Sequence, residues 1–454
     1  LAKVFTIALL LSGLVIAAIT PPFQAADELC HFLRAFQLSS GELLSKKEGT
    51  YTGGRLPVTV ASDAEPFMGQ AFHSEIAITP HDWELRFEAS HEQGFNKVQT
   101  VAFVNFSNTA LYSPVPYLPQ TLAIFIGRAL HLRTVSLLYL ARIFVAVGSS
   151  AILYAAFRLL SFSHRFSWFL FIFASTPMYL FLMVTCSADS VTNSLAVLVA
   201  ALTLHLKRVW SKKVFIGFLI ASAALSLCKS VYFVIPWILL PVAFKQPRRF
   251  KKMGLIIACS ALPTMFWSSL IKALYSPART DIVVNPGLQV RFILDHPLHA
   301  VRIFIHGFRT GWIDRFYEMT GRLGWLDTPI PSKILWAQAI AVLGISLIGV
   351  QTERVEELSA VASKARLINS IVAAMSFFLI YLAMYLSWNT IGGEYIEGVT
   401  GRYFLALLPL LFLLLPALIT TTQKKYFKVE ALGWFWWVTL TCATWHTILS
   451  RYWR

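Results

Sequence analysis

Apolar residues fill run after run of this chain, and most runs approach the ~20 residues needed to cross a ~30 Å hydrocarbon core. They cover 4–20, 134–157, 166–184, 190–206, 214–228, 231–244, 253–271, 333–350, 367–387, 403–420 and 430–450. The pattern predicts an all-α integral membrane protein of about eleven transmembrane helices, with residues 1–454 forming a single transmembrane domain. Residues 4–20 follow Lys3 as a signal peptide would, but no convincing A-x-A site precedes Pro21, so the run reads as a retained first helix. Two long polar connections, 21–133 and 272–332, interrupt the apolar runs, and neither reads as a self-sufficient domain.

The first connection opens with PPFQAADELCHFLRAFQLSSGEL, residues 21–43. At about 100° per residue, Asp27, His31 and Arg34 fall within about 60° of one another, while Leu29, Phe32, Leu33 and Phe36 gather opposite. Such a helix suits the plane of a bilayer surface. A plainer reading places Asp27 and Glu28 in a first helical turn, where the macrodipole favours acids and Asp caps free amides. The stretch VPYLPQTLAIFIGRALH, 115–131, is also apolar, but Pro114, Pro116, Pro119 and Arg128 argue for a surface-lying or re-entrant helix on the outer side. Counting it as a span would also invert the orientation of everything after it.

Composition agrees with a membrane protein: 56% of residues are hydrophobic and 14% charged, with a mean hydropathy of +0.62. A net charge of +16 invites nucleic acid as a partner, but in so apolar a chain the positive-inside rule is the first explanation. Basic clusters at Arg158–Arg165, Lys207–Lys213, Lys245–Lys252 and Lys424–Lys428 lie in short connections. The connections TCSADSV (185–191) and WNTIGGEYIEGVTG (388–401) hold no Lys or Arg and would face outward. Cys186, Cys228, Cys259 and Cys442 lie in or beside apolar runs with no disulfide or metal spacing, as small buried hydrophobes do.

Under this topology the unusual polar residues collect at the outer face. They are Asp27, Glu28, His31 and Arg34; Tyr112 and Tyr117; Arg142 inside an apolar run; Ser187, Asp189 and Asn193; Lys229 and Tyr232; and Glu394, Tyr395, Arg402 and Tyr403. An intramembrane charge costs about 2.5–3.5 kcal/mol on insertion scales, so Arg142 needs a partner. Carboxylates and cations at the boundary of an apolar groove suit a ligand with a lipid tail, an anionic phosphate and a polar head, the anatomy of a lipid-linked phosphosugar. Asp27 or Glu28 would take the proton from an acceptor hydroxyl, while Lys229, Arg142 and Arg402 held the departing phosphate. His31, Arg34, Tyr112, Tyr117, Asp189, Asn193, Tyr232, Glu394, Tyr395 and Tyr403 are expected to contact the substrate. Metal dependence stays open; an ion held by Asp27, Glu28 and Asp189 would be Mg²⁺ or Mn²⁺.

At these residues the chain resembles the C-type glycosyltransferase (GT-C) superfamily, and more closely the bacterial membrane proteins grouped as DUF2142. The carriers are PPFQAADELCHFLRAFQLSSGEL, LYSPVPYLPQTLAIFIGRA, LLYLARIFVAVGSSAILY, SADSVTNSLAVLVAAL, LCKSVYFVIP and GVTGRYFLALLPL, in that order over most of the chain. The resemblance implies a GT-C-like bundle with juxtamembrane helices in its first external loop, and a polyprenyl-phosphate (undecaprenyl-phosphate type) sugar donor. It also implies a catalytic carboxylate at Asp27 or Glu28, a second acidic position at Asp189, and inversion at the anomeric carbon. The expected setting is the bacterial cytoplasmic membrane with the site facing outward and an acceptor glycan, lipid or protein. Asp27 is the preferred base because it points with His31 and Arg34, leaving Glu28 to orient it or hold a divalent cation. A polymerase or ligase using a lipid-diphosphate-linked glycan would instead depend on residues such as Arg302, His306 and Arg309. A lipid-linked sugar transporter or flippase and a purely structural membrane subunit complete the alternatives.

Overall fold

The computed structural model describes residues 1–89, 100–350, 363–410, 419–421 and 423–454. Five of its helices are long and apolar enough to cross a bilayer by themselves: Ala2–Ile19, Thr134–Leu159, Asp189–Arg208, Arg249–Leu274 and Arg366–Trp388. They pack in a chain of neighbours, with Thr134–Leu159 between the first helix and Asp189–Arg208, and Lys212–Cys228 between Asp189–Arg208 and Arg249–Ile271. Asp189–Arg208 is buried along most of its length because its apolar residues run around all sides, which places it at the centre of the bundle.

Other apolar runs depart from regular spans. The 166–184 run is two helices, His164–Ala174 and Pro177–Met183, bent by 76°. Pro177 supplies no amide and drives Thr176 into an extended conformation, so the first helix ends before it. In 231–244, Pro236 and Pro241 leave the turns Ser230–Tyr232 and Ile235–Leu239 and the short helix Leu240–Phe244. Ser332–Leu347 has 16 residues. Much of the 403–420 run, 411–418, lies outside the described residues, while 430–450 falls within the 30-residue helix Gln423–Tyr452. Cys186 and Cys228 are buried, whereas Cys442 is exposed.

The 115–131 stretch folds as a turn, Val115–Tyr117, and a helix, Leu118–Ala129, whose 12 residues reach only about 18 Å. It lies along Thr134–Leu159 and leaves Leu118, Leu122 and Phe125 exposed.

The first long connection is not wholly helical. Lys46–Glu48, Tyr51–Pro57 and Val101–Asn105 form an antiparallel sheet in that order, with Gly54 opposite Val104. Gly53 is required by close approach, since a Cβ there would sit 1.9 Å from the Val104 carbonyl oxygen. Nor does Glu28–Ser39 lie flat on a bilayer. It is buried on nearly every face, and Phe32 and Phe36 join Phe23, Leu56, Phe67, Ile124 and Leu138 in a second core beside the main one. Asp27 does not cap it, for its side chain accepts no amide from the first turn.

The second long connection carries the helices Pro286–Asp295, Pro297–Arg309 and Trp312–Thr320, then a short hairpin pairing Arg322–Leu323 with Thr328–Pro329.

Candidate functional site

A cavity of about 610 Å³ opens where the first connection meets the bundle. One wall is apolar and comes from two helices: Trp267 and Ile271 from Arg249–Ile271, and Ile380, Ala383 and Met384 from Arg366–Trp388. Asp27, His31, Tyr112, Asp189, Lys229 and Arg402 line the same cavity.

Each charged residue stands where its element ends. Asp27 precedes Glu28–Ser39 in the left-handed conformation (φ 62°), which turns its side chain away from the course the helix would give it. Asp189 is the first residue of its helix, and Lys229 follows Cys228 in extended backbone. Arg402 lies in the turn Gly401–Leu407. Gly401 has no substitute there: a Cβ would come within 1.9 Å of the Arg315 carbonyl oxygen, and its amide donates to Glu318 Oε2 at 2.7 Å.

The four charges form a chain that runs Asp27, Arg402, Asp189, Lys229. Arg402 Nη2 donates to Asp27 Oδ2 at 2.7 Å, Lys229 Nζ donates to Asp189 Oδ1, and Arg402 Nε lies 3.9 Å from Asp189 Oδ2. Asn108 Nδ2 donates to Asp27 Oδ1 at 3.0 Å. Lys229 Nζ also sits 4.6 Å from the centre of the Tyr403 ring, whose residue is fixed by the Tyr232 hydroxyl donating to its carbonyl at 2.7 Å. Burial pushes the Asp27 carboxyl up, but the Arg402 charge and the hydrogen bonds from Arg402 and Asn108 outweigh it and hold the group below the ordinary value.

His31 Nδ1 is 2.6 Å from the Tyr117 hydroxyl. Burial lowers this imidazole to about 4 despite the Asp27 and Asp189 charges, so it is neutral at pH 7. Its value in the fold lies below the ordinary 6.5 of a histidine, so its contribution to stability is full above pH 6.5 and is lost as pH falls toward about 4. Across that window stability is expected to fall with an added slope of up to about 1.4 kcal/mol per pH unit. Thermal midpoints of detergent-solubilised wild type and His31→Gln between pH 7 and 4 check this. Parallel acid slopes in the two would show that His31 is not the group that charges.

Tyr232 and Tyr403 also line the cavity, whereas the remaining residues named from sequence lie off its wall. Glu28 and Arg142 are buried as a pair: Arg142 Nε and Nη2 donate to Glu28 at 2.9 and 2.6 Å, and the remaining donors go to the carbonyls of Ala17, Thr20 and Pro21. Arg142 therefore has no N–H left for a phosphate. Glu28 also accepts the Cys186 amide at 3.0 Å, so Asp27, Glu28 and Asp189 do not converge on a common point and do not make a metal site. Among the described residues no group of three or more His, Cys, Asp or Glu is placed to hold an ion.

Arg34 binds Gln37, Ser45 and the carbonyls of Leu43 and Tyr112, tying the helix to the chain around it. Tyr117 and Asn193 are buried behind the wall. Glu394 and Tyr395 sit on an exposed loop, with Tyr395 against His306. Arg302, His306 and Arg309 are exposed and do not line the cavity. Asn108 escaped the sequence reading; its only signal was a polar cluster, NFSNT, just before LYSPVPYLP.

Fold and site together define a helical membrane protein with a charged cavity at the end of an apolar cleft. The chain belongs to the family described as "Predicted membrane protein (DUF2142)", whose model matches residues 10–411. No curated protein and no solved structure matches it.

Proposed function

We propose that this protein is an inverting glycosyltransferase of GT-C type that moves one sugar from a polyprenyl-phosphate donor to an acceptor glycan, lipid or protein at the outer face of the cytoplasmic membrane. The observation that carries the reading is the cavity's composition: a carboxylate still one-third exposed, Asp27, with Arg402 and Lys229, in a cavity also lined by apolar residues of membrane helices. The apolar wall suits the first isoprene units, the two cations the phosphate, and Asp27 the acceptor hydroxyl.

In the reaction the acceptor oxygen attacks the anomeric carbon from the face opposite the phosphate, its proton passes to Asp27, and the carbon–oxygen bond to phosphate breaks. Polyprenyl phosphate leaves with one more negative charge, which Lys229 and Arg402 stabilise. A single displacement inverts the anomeric centre. The ion pairs give the base a trigger: an incoming phosphate competes for Arg402, and as Arg402 turns to it the force that holds Asp27 acidic weakens, raising its basicity when the acceptor needs it.

The test is release of polyprenyl phosphate, with a glycosylated product, by purified protein in nanodiscs given synthetic polyprenyl-phosphate sugars and a mixed acceptor pool. No turnover with any donor would sink the reading. Lys229→Gln, which can still hydrogen-bond Asp189, is expected to raise the donor KM roughly 10- to 100-fold, as losing a charge-assisted contact does. An unchanged KM would remove Lys229 from the phosphate site.

A further inference from the structure

Six non-glycine residues among those described have positive φ, and four of them gather at one place. Asp27, Phe72 (φ 63°) and Leu326 (φ 64°) line the cavity, and the carbonyl of Phe23 (φ 60°) accepts the Trp325 indole N–H at 3.2 Å. Left-handed backbone at residues as bulky as Phe and Leu persists only where the surroundings impose it, and such strain concentrates at ligand sites.

At the same mouth Phe72 is 69% exposed, its ring 5.3 Å from that of Trp325. Trp325 is fixed from several sides. Its amide donates to Asp327 Oδ1, Asp327 pairs with Arg451 at 3.0 Å, and the amide of Ala26, next to Asp27, donates to the Gly324 carbonyl at 3.3 Å. Trp325 is thus tied to the backbone that carries the carboxylate, and Phe72 packs against its indole.

We propose that Phe72 and Trp325 form a shelf that binds a pyranose ring. The C–H face of the sugar would rest on the aromatic faces while Asn108 and Ser107, which line the same cavity, meet its hydroxyls. A rigid aromatic shelf contributes contact area with little loss of side-chain entropy, and the strain around it is a reason for the shelf to be held where the sugar needs it. This inference rests on the transferase reading; the pyranose is either the donor's own sugar or one on the acceptor.

Equilibrium binding to protein in nanodiscs separates these cases, using three probes: polyprenyl phosphate, the same lipid bearing one hexose, and a free soluble oligosaccharide. Phe72→Ala, at an exposed position, and Trp325→Phe, which keeps a ring, guard against misfolding. Wild type is expected to hold the hexose-bearing lipid more tightly than the bare one. Phe72→Ala should reduce that advantage roughly 3- to 10-fold with the bare lipid unaffected, and Trp325→Phe should keep most of it. A loss confined to the oligosaccharide supports the shelf with the acceptor's sugar as its occupant. Wild-type affinities for all three probes in Phe72→Ala would overturn the shelf. If wild type binds neither lipid, the transferase reading falls, and the oligosaccharide arm alone decides the shelf.

Discussion

Asp27→Asn is expected to lower kcat for sugar transfer by about 10²–10⁴-fold, the range that removing a positioned general base produces, while the protein inserts and melts as wild type does. Asparagine matches aspartate in size, and its amide oxygen can still accept from Arg402 Nη2, so packing at the helix start should survive. It cannot take up the acceptor's proton. The kinetic signature should be lopsided. Without a carboxylate to neutralise it, Arg402 is free for phosphate, so the donor KM should stay level or fall while kcat collapses. Initial rates with a synthetic donor over a range of concentrations measure both. Full activity in Asp27→Asn would refute the base, and a rise in KM with kcat intact would make Asp27 a binding residue only.

Arg142→Ala should act on stability instead, at a cost of about 3–5 kcal/mol, the range measured when one partner of a buried pair is removed. All five guanidinium N–H groups are bonded, two to Glu28 and three to the carbonyls of Ala17, Thr20 and Pro21. Truncation leaves the Glu28 carboxyl, at 0% exposure, without its cation and strands the carbonyls that join the first helix to the connection after it. Arg142→Lys should rescue little, because an ammonium has three donors and no planar fork. Thermal unfolding in detergent, followed by tryptophan fluorescence, reads the loss. A wild-type midpoint combined with weakened donor binding would make Arg142 the phosphate ligand its position in the sequence suggested.

The contrast between these variants turns on adjacent residues. Asp27 and Glu28 form one acidic pair after an apolar run, and helical periodicity favours Asp27 as the base because it points with His31 and Arg34. The left-handed backbone at Asp27 separates them, sending one carboxylate to the cavity and the other into the bundle under Arg142. Periodicity favours Asp27 but does not reach the pairing of Glu28 with Arg142 or the placement of Arg34 off the cavity, because a φ change at one residue alters the side-chain direction that a helical wheel assumes.

Much else was legible. Asp189, Lys229 and Arg402 are widely separated polar residues at the ends of apolar runs, and a charge there must find a partner, so their convergence followed from cost. The strands Tyr51–Pro57 and Val101–Asn105 were not legible, since one holds two glycines and the other is five residues long, too little for an alternating pattern. Phe72 and Trp325 carry no local sign of sharing a rim; contacts across some 250 residues of chain bring them together.

By itself, then, the sequence determined a membrane protein with its unusual charges at helix ends, because bilayer thickness and the cost of a buried charge act on every residue through its own neighbours. Tertiary structure alone decided that Glu28 is buried under Arg142, and also which arginine is fully bonded and which aromatics form the rim. Those choices depend on single backbone torsions and on packing between segments far apart in the chain, and neither leaves a local trace.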